Sequence, residues 1–148
     1  MRRRDEAGTS SLELVIVAPF VLALLMLIFV FARYAQAENL VDQSSRDAAR
    51  AATAQNVRAD VPKIARDVVA DAMRDAPSSC RDSARVTSIK MTSGAFGLPD
   101  PNDPTAIDSV SVTVACTLDL SDLTALPMKS VTIKRTFTSP LDRYRPYR

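Results

Sequence analysis

The pattern of hydrophobic positions changes character twice along this chain. From Leu14 to Ala32, 19 consecutive residues carry neither a charge nor a hydrogen-bonding side chain. As a helix this run is about 28 Å long at about 1.5 Å per residue, close to the thickness of a bilayer's hydrocarbon core. Fourteen of its residues are Leu, Ile, Val or Phe. At about −0.3 to −0.6 kcal/mol each, their insertion sums to about −4 to −8 kcal/mol. Pro19 lies within two turns of the start, and membrane helices can re-satisfy the carbonyl it frees. The run predicts a membrane-spanning helix. Residues 33–57 lack Gly and Pro and are rich in Ala, Arg, Gln and Asp, so the helix is expected to continue beyond the span. Ala37, Leu40, Val41, Ser44, Ala48, Ala51 and Ala52 fall near one stripe of mostly small side chains. Such a stripe permits close approach, either by a neighbouring subunit or by the chain's own domain.

The first change is to a helical period. Asp60 and Pro62 suit an N-cap and a first turn. Val61, Ile64, Ala65, Val68, Val69, Ala72 and Met73 then recur at helical spacing, with Lys63, Arg66, Asp67, Asp71, Arg74 and Asp75 opposite. This predicts an amphipathic helix over 61–75 that turns one face to a core and stops before Pro77. The second change is to alternation. Residues 84–92, 108–118 and 130–138 read as strands. The middle one is the clearest, with Val110, Val112, Val114, Cys116 and Leu118 on one face and Ser and Thr on the other. The expected fold is α+β: a long N-terminal helix, a short amphipathic helix, then a small three-stranded antiparallel sheet. Residues 93–107 form a loop rich in Gly and Pro. Its Asp100, Asn102, Asp103 and Asp108 do not have the spacing of an EF-hand, so no metal is expected. Residues 141–148 read as a basic, aromatic tail.

Composition narrows the function. With 148 residues and 47% apolar content, the chain suits one anchor and one small domain. The net charge of +2, with acids and bases interspersed, gives no case for nucleic-acid binding. There is no His, no nucleophile beside a base and no ligand cluster, so neither catalysis nor a cofactor nor a small-molecule substrate is expected. Arg2, Arg3 and Arg4 precede the span, whereas residues 33–42 set Arg33 against Glu38 and Asp42. This asymmetry puts the N-terminus in the cytoplasm and the rest outside. In that oxidising compartment the two cysteines, Cys80 and Cys116, are expected to form a disulfide rather than remain buried thiols. In the chain-entropy model the bond contributes about 3–4 kcal/mol.

One acid stands out. Glu13 abuts the apolar run, where an ionised carboxylate is costly without a partner. Gly8 stands five residues before it, at the end of a hydrophilic leader. Gly, Glu at this offset and an apolar stretch behind it resemble the cleavage region of type IV prepilins. Pro19, six residues after Glu13, and the Ala/Arg-rich stretch around Arg46 and Arg50 are similar to TadE-like pseudopilins of the tight-adherence (Tad) pilus system. The resemblance implies that prepilin peptidase cuts between Gly8 and Thr9 and that Glu13 pairs with the Thr9 amine of a neighbouring subunit. It also implies a protein of the bacterial cytoplasmic membrane whose partners are lipid, the peptidase, other pilins and the pilus assembly machinery. The expected organisation is then a leader (1–8), a membrane helix (9–32), a helical stalk (33–60), an extracytoplasmic domain (61–140) and a tail (141–148). Two other readings compete with it. One is an uncut single-pass anchor carrying a binding module. The other is a secretory signal cut before Glu38, after the A-x-A tripeptide at Ala35 and Ala37.

Overall fold

A computed structural model describes residues 6–97, 107–121 and 129–142. Along the chain run α1 (Glu6–Thr53), a short 3-10 turn (Arg58–Asp60), α2 (Val61–Ala72), α3 (Ser78–Ser83), β1 (Arg85–Met91), β2 (Ser109–Asp119) and β3 (Ser130–Pro140). The strands form one antiparallel sheet in the order β1-β2-β3. The chain divides into two compact units, Met1–Ala35 and Gln36–Arg148. In the first, the described side chains are those of residues 13–35, most of them the apolar part of α1. The second is the α+β domain.

The domain is built on β2. Its alternating Val110, Val112, Val114, Cys116 and Leu118 are all at most 1% exposed. They share a face with Val131, Ile133, Arg135, Phe137 and Ser139 of β3, their partners in register. Helices cover this face. From α1, Ala37, Val41, Ser44, Ser45, Ala48, Ala49 and Ala52 are buried, so the small-residue stripe serves the chain's own domain. Residues 36–53, expected to belong to a stalk, are therefore a packed element of this unit. The buried Ser44 and Ser45 hydroxyls donate to the carbonyls of Val41 and Asp42, so neither hydroxyl is left unpaired under the sheet. α2 lies against β1 and buries Val61, Ala65 and Val69.

Several boundaries differ from the sequence pattern for local reasons. α1 stops at Thr53 rather than continuing to 57, where the Gln55 N–H bonds the Ala52 rather than the Ala51 carbonyl and side chains add to the last turn. Thr53 Oγ1 bonds the Arg50 carbonyl at 2.9 Å and Gln55 Nε2 the Ala51 carbonyl at 3.1 Å. Asp60 stands at the N-cap position of α2 but makes no capping hydrogen bond. The preceding 3-10 turn already holds it in a helical conformation, whereas a cap needs extended backbone. The end of the amphipathic pattern, from Met73 to Ala76, winds into tight turns rather than α-helix, since Pro77 disfavours helix at the residue before it. Leu141 belongs to the fold rather than to a tail: it is buried, and its amide donates to the Asp108 carbonyl at 2.7 Å. The loop acids Asp100 and Asp103, with Asn102, and the tail residues 143–148 lie outside the described residues.

The sequence pattern does not anticipate α3, which solves an edge problem. β1 pairs with β2 only as far as Arg85 opposite Ala115, while β2 runs on to Asp119. Alongside that unpaired stretch lie Ser79 and Ser83, one helical turn apart on α3. The Ser83 hydroxyl accepts from the Thr117 N–H at 2.8 Å and the Ser79 hydroxyl from the Asp119 N–H at 3.0 Å. Two side chains thus replace a missing strand. The Cys80–Cys116 disulfide fixes the same helix to the same strand across a separation of 36 residues. Beyond it, the backbone N–H of Ser121 holds the Asp119 carboxyl below its ordinary pKa, helped by the Ser121 hydroxyl. Ser83→Ala leaves the Thr117 amide without its partner and is expected to cost about 1 kcal/mol. The urea midpoint of the full chain in detergent is the readout.

Candidate functional site: the N-terminal helix

The Gly8–Thr9 bond lies within α1 rather than ahead of it. Glu and Ala are good helix formers, which carries the helix back past Gly8, although Gly itself costs about 1 kcal/mol in a helix relative to Ala. Glu13 follows Gly8 by about 7.5 Å along the helix axis, at about 1.5 Å per residue. Its side chain is exposed and has no ion pair among the described residues.

From Leu14 onward the helix presents apolar side chains on all sides. Leu14 and Phe20 are each 72% exposed, and Leu22, Leu25, Ile28 and Phe31 are all more than half exposed. A continuous apolar surface of this kind is not left to water. The helix is long and apolar enough to cross a membrane and fits a membrane anchor. At the far end of the apolar run the Arg33 guanidinium folds back over the Phe29 ring, 5.3 Å from its centroid. A cation on a flexible stem can in this way stay at the polar boundary while its methylenes cover apolar surface.

Arg46 and Arg50 lie in the second unit. Arg46 pairs with Asp42 at 3.0 Å, and its guanidinium lies 5.2 Å from the centroid of the Phe137 ring on β3. Arg50 is exposed in the last turn of α1, where a positive charge complements the helix dipole. Two further contacts fasten α1 to β3. Glu38 pairs with Arg135, which otherwise would place a charge at an inward position of β3. The Thr53 and Ser139 hydroxyls meet at 3.3 Å. The partners in these contacts are more than 80 residues apart in sequence, so no local spacing signals them. Both members of the Glu38–Arg135 pair are about a third or more exposed. Glu38→Gln is therefore expected to destabilise the chain by under about 1 kcal/mol, with a loss that shrinks at high salt. A double-mutant cycle with Arg135→Gln isolates the coupling.

Comparison with known families decides how this end of the chain is read. Residues 8–50 match the TadE-like protein family. The TadE-like segment opens on Gly8 and closes on Arg50, and so includes Thr9, Glu13, Pro19 and Arg46. It thus contains the apolar part of α1 and most of the part that packs in the domain. Neither curated proteins nor solved structures give a match to the chain.

Proposed function

We propose that this protein is a minor pilin, or pseudopilin, that takes part in assembly of a Tad-type pilus for adhesion and is not an enzyme. The TadE-like match carries the reading, because it opens on the glycine of the cleavage pattern and runs on through the apolar helix. In this scheme prepilin peptidase removes residues 1–8 on the cytoplasmic side and frees the Thr9 amine. The mature protein is then held in the bacterial cytoplasmic membrane by a single span, with the α+β domain outside. Extraction of the apolar helix into a filament core would bury Glu13, and burial of a lone carboxylate among apolar helices costs several kcal/mol. Pairing Glu13 with the Thr9 amine of the next subunit removes that penalty and fixes the axial register of the two helices. The other partners are lipid, fellow pilins and the assembly machinery.

The test is the N-terminus of the membrane-extracted protein, read by intact mass and terminal sequencing with and without the peptidase. A start at Thr9 that requires the peptidase is expected. A start at Met1 would make the protein an uncut anchor, and a start at Glu38 would make it a released domain. Either outcome overturns the proposal.

A further inference from the structure

The face of the sheet turned away from the helices has a composition that the pilin reading does not use. Its rows follow from the register. Lys90, Ser111 and Thr138 form one row, Ser88, Thr113 and Thr136 the next, and Arg85, Ala115 and Lys134 the third, with Thr117 beside Thr132 beyond. Lys90, Arg85, Lys134, Thr132, Thr136 and Thr138 are exposed. The hydroxyls pair across strands, Ser111 with Thr138 at 2.7 Å and Thr113 with Thr136 at 2.9 Å. A hydroxyl has one donor and two acceptor positions, so each pair keeps hydrogen-bonding capacity for a ligand. None of the three cations has a carboxylate partner among the described residues. Of the acids at the two ends of β2, Asp108 accepts from the Thr92 hydroxyl, while Asp119, exposed on this same face one row beyond Thr117, accepts from the Ser121 N–H and keeps its negative charge.

We propose that this face docks an acidic polysaccharide. The charges are complementary, with three cations in the four rows against one acid, Asp119, in the row beyond. Arg85 and Lys134 flank Ala115 about 10 Å apart, at two strand spacings, and the Lys90 row is about 13 Å further along the strands. A small anion meets one of these cations at a time, whereas an extended chain bearing carboxylates at intervals meets all of them. Between the cations lie hydroxyls that can both give and accept hydrogen bonds, as sugar hydroxyls do. The rows contain no aromatic ring on which a nucleobase would stack and no bulky apolar side chain to enter a lipid layer.

The full chain in neutral detergent tests this with polygalacturonate as the probe. Dextran serves as the uncharged control, and phosphatidylglycerol vesicles and single-stranded DNA are the competing anions. Polygalacturonate is expected to bind with an affinity that falls as salt rises, and dextran is not expected to bind. The triple variant Arg85→Ser, Lys90→Ser, Lys134→Ser is expected to bind about tenfold more weakly, as the loss of three exposed ion pairs implies. Thr136→Val with Thr138→Val keeps every charge and is expected to lose about fivefold, as two lost hydrogen bonds would. The proposal is overturned if the wild type fails to bind polygalacturonate, if the triple variant binds it unchanged, or if the double valine variant keeps full affinity. Tighter binding to the vesicles or to DNA overturns it as well. None of these outcomes depends on whether the leader is cut.

Discussion

Glu13→Ala is expected to leave cleavage after Gly8 intact while nearly emptying the sheared pilus fraction of this protein. In the proposed filament the carboxylate of one subunit offsets the Thr9 amine of the next. Removing one partner of a buried pair costs about 3–5 kcal/mol, which is a hundredfold or more in an association constant at about 1.4 kcal/mol per tenfold. Processing is expected to survive, since the residue is not at the scissile bond. Two measurements separate the steps: terminal sequencing of the membrane fraction for cleavage, and quantification of the protein in sheared filaments for assembly. Glu13→Asp keeps the charge but shortens its reach, and should recover part of the assembly. If Glu13→Ala protein enters filaments normally, the pairing is wrong even where the start at Thr9 is right.

Replacing both Cys80 and Cys116 with Ser is expected to remove about 3–4 kcal/mol from the stability of the domain. For a small domain whose total is about 5–15 kcal/mol, that is a large fraction. The bond joins α3 to the middle strand beside the two serine contacts that replace β1. Its loss should therefore loosen the far end of β2 first, and hydrogen exchange at the Thr117 and Asp119 amides reports that. Urea unfolding of the full chain in detergent gives the global figure. A reductant should bring the wild type to the variant's midpoint and leave the variant where it is. Equal midpoints for oxidised wild type and variant would mean that core burial alone secures this end of the sheet.

How readily each part of this molecule can be read from its sequence depends on how local its cause is. The apolar run, the helical spacing of Val61, Ala65 and Val69 and the alternation of β2 are set by neighbouring residues, and each appears in the structure close to its expected bounds. The Gly8 and Glu13 pattern is also local, and it lies within the segment that matches the TadE-like family. β1 shows where this breaks down. Val86 and Ile89 both oppose inward valines of β2, although they are three positions apart, because the register slips between Val86 and Ser88. Strict alternation cannot represent a bulge. α3 has only six residues, too few for an apolar period, and its role is visible only once the unpaired end of β2 is known. Arg135 looks out of place between Ile133 and Phe137 until Glu38 arrives from the far end of the chain. The small-residue stripe on α1 permits two partners, and it took the folded domain to choose between them.

The contacts that tie α1 to β3 occur in the same order on both elements: Glu38 with Arg135, Arg46 with Phe137, Thr53 with Ser139. Helix and strand therefore run in the same sense along their shared length. Tension carried along α1 would load these three attachments together, in shear, instead of peeling them apart one after another.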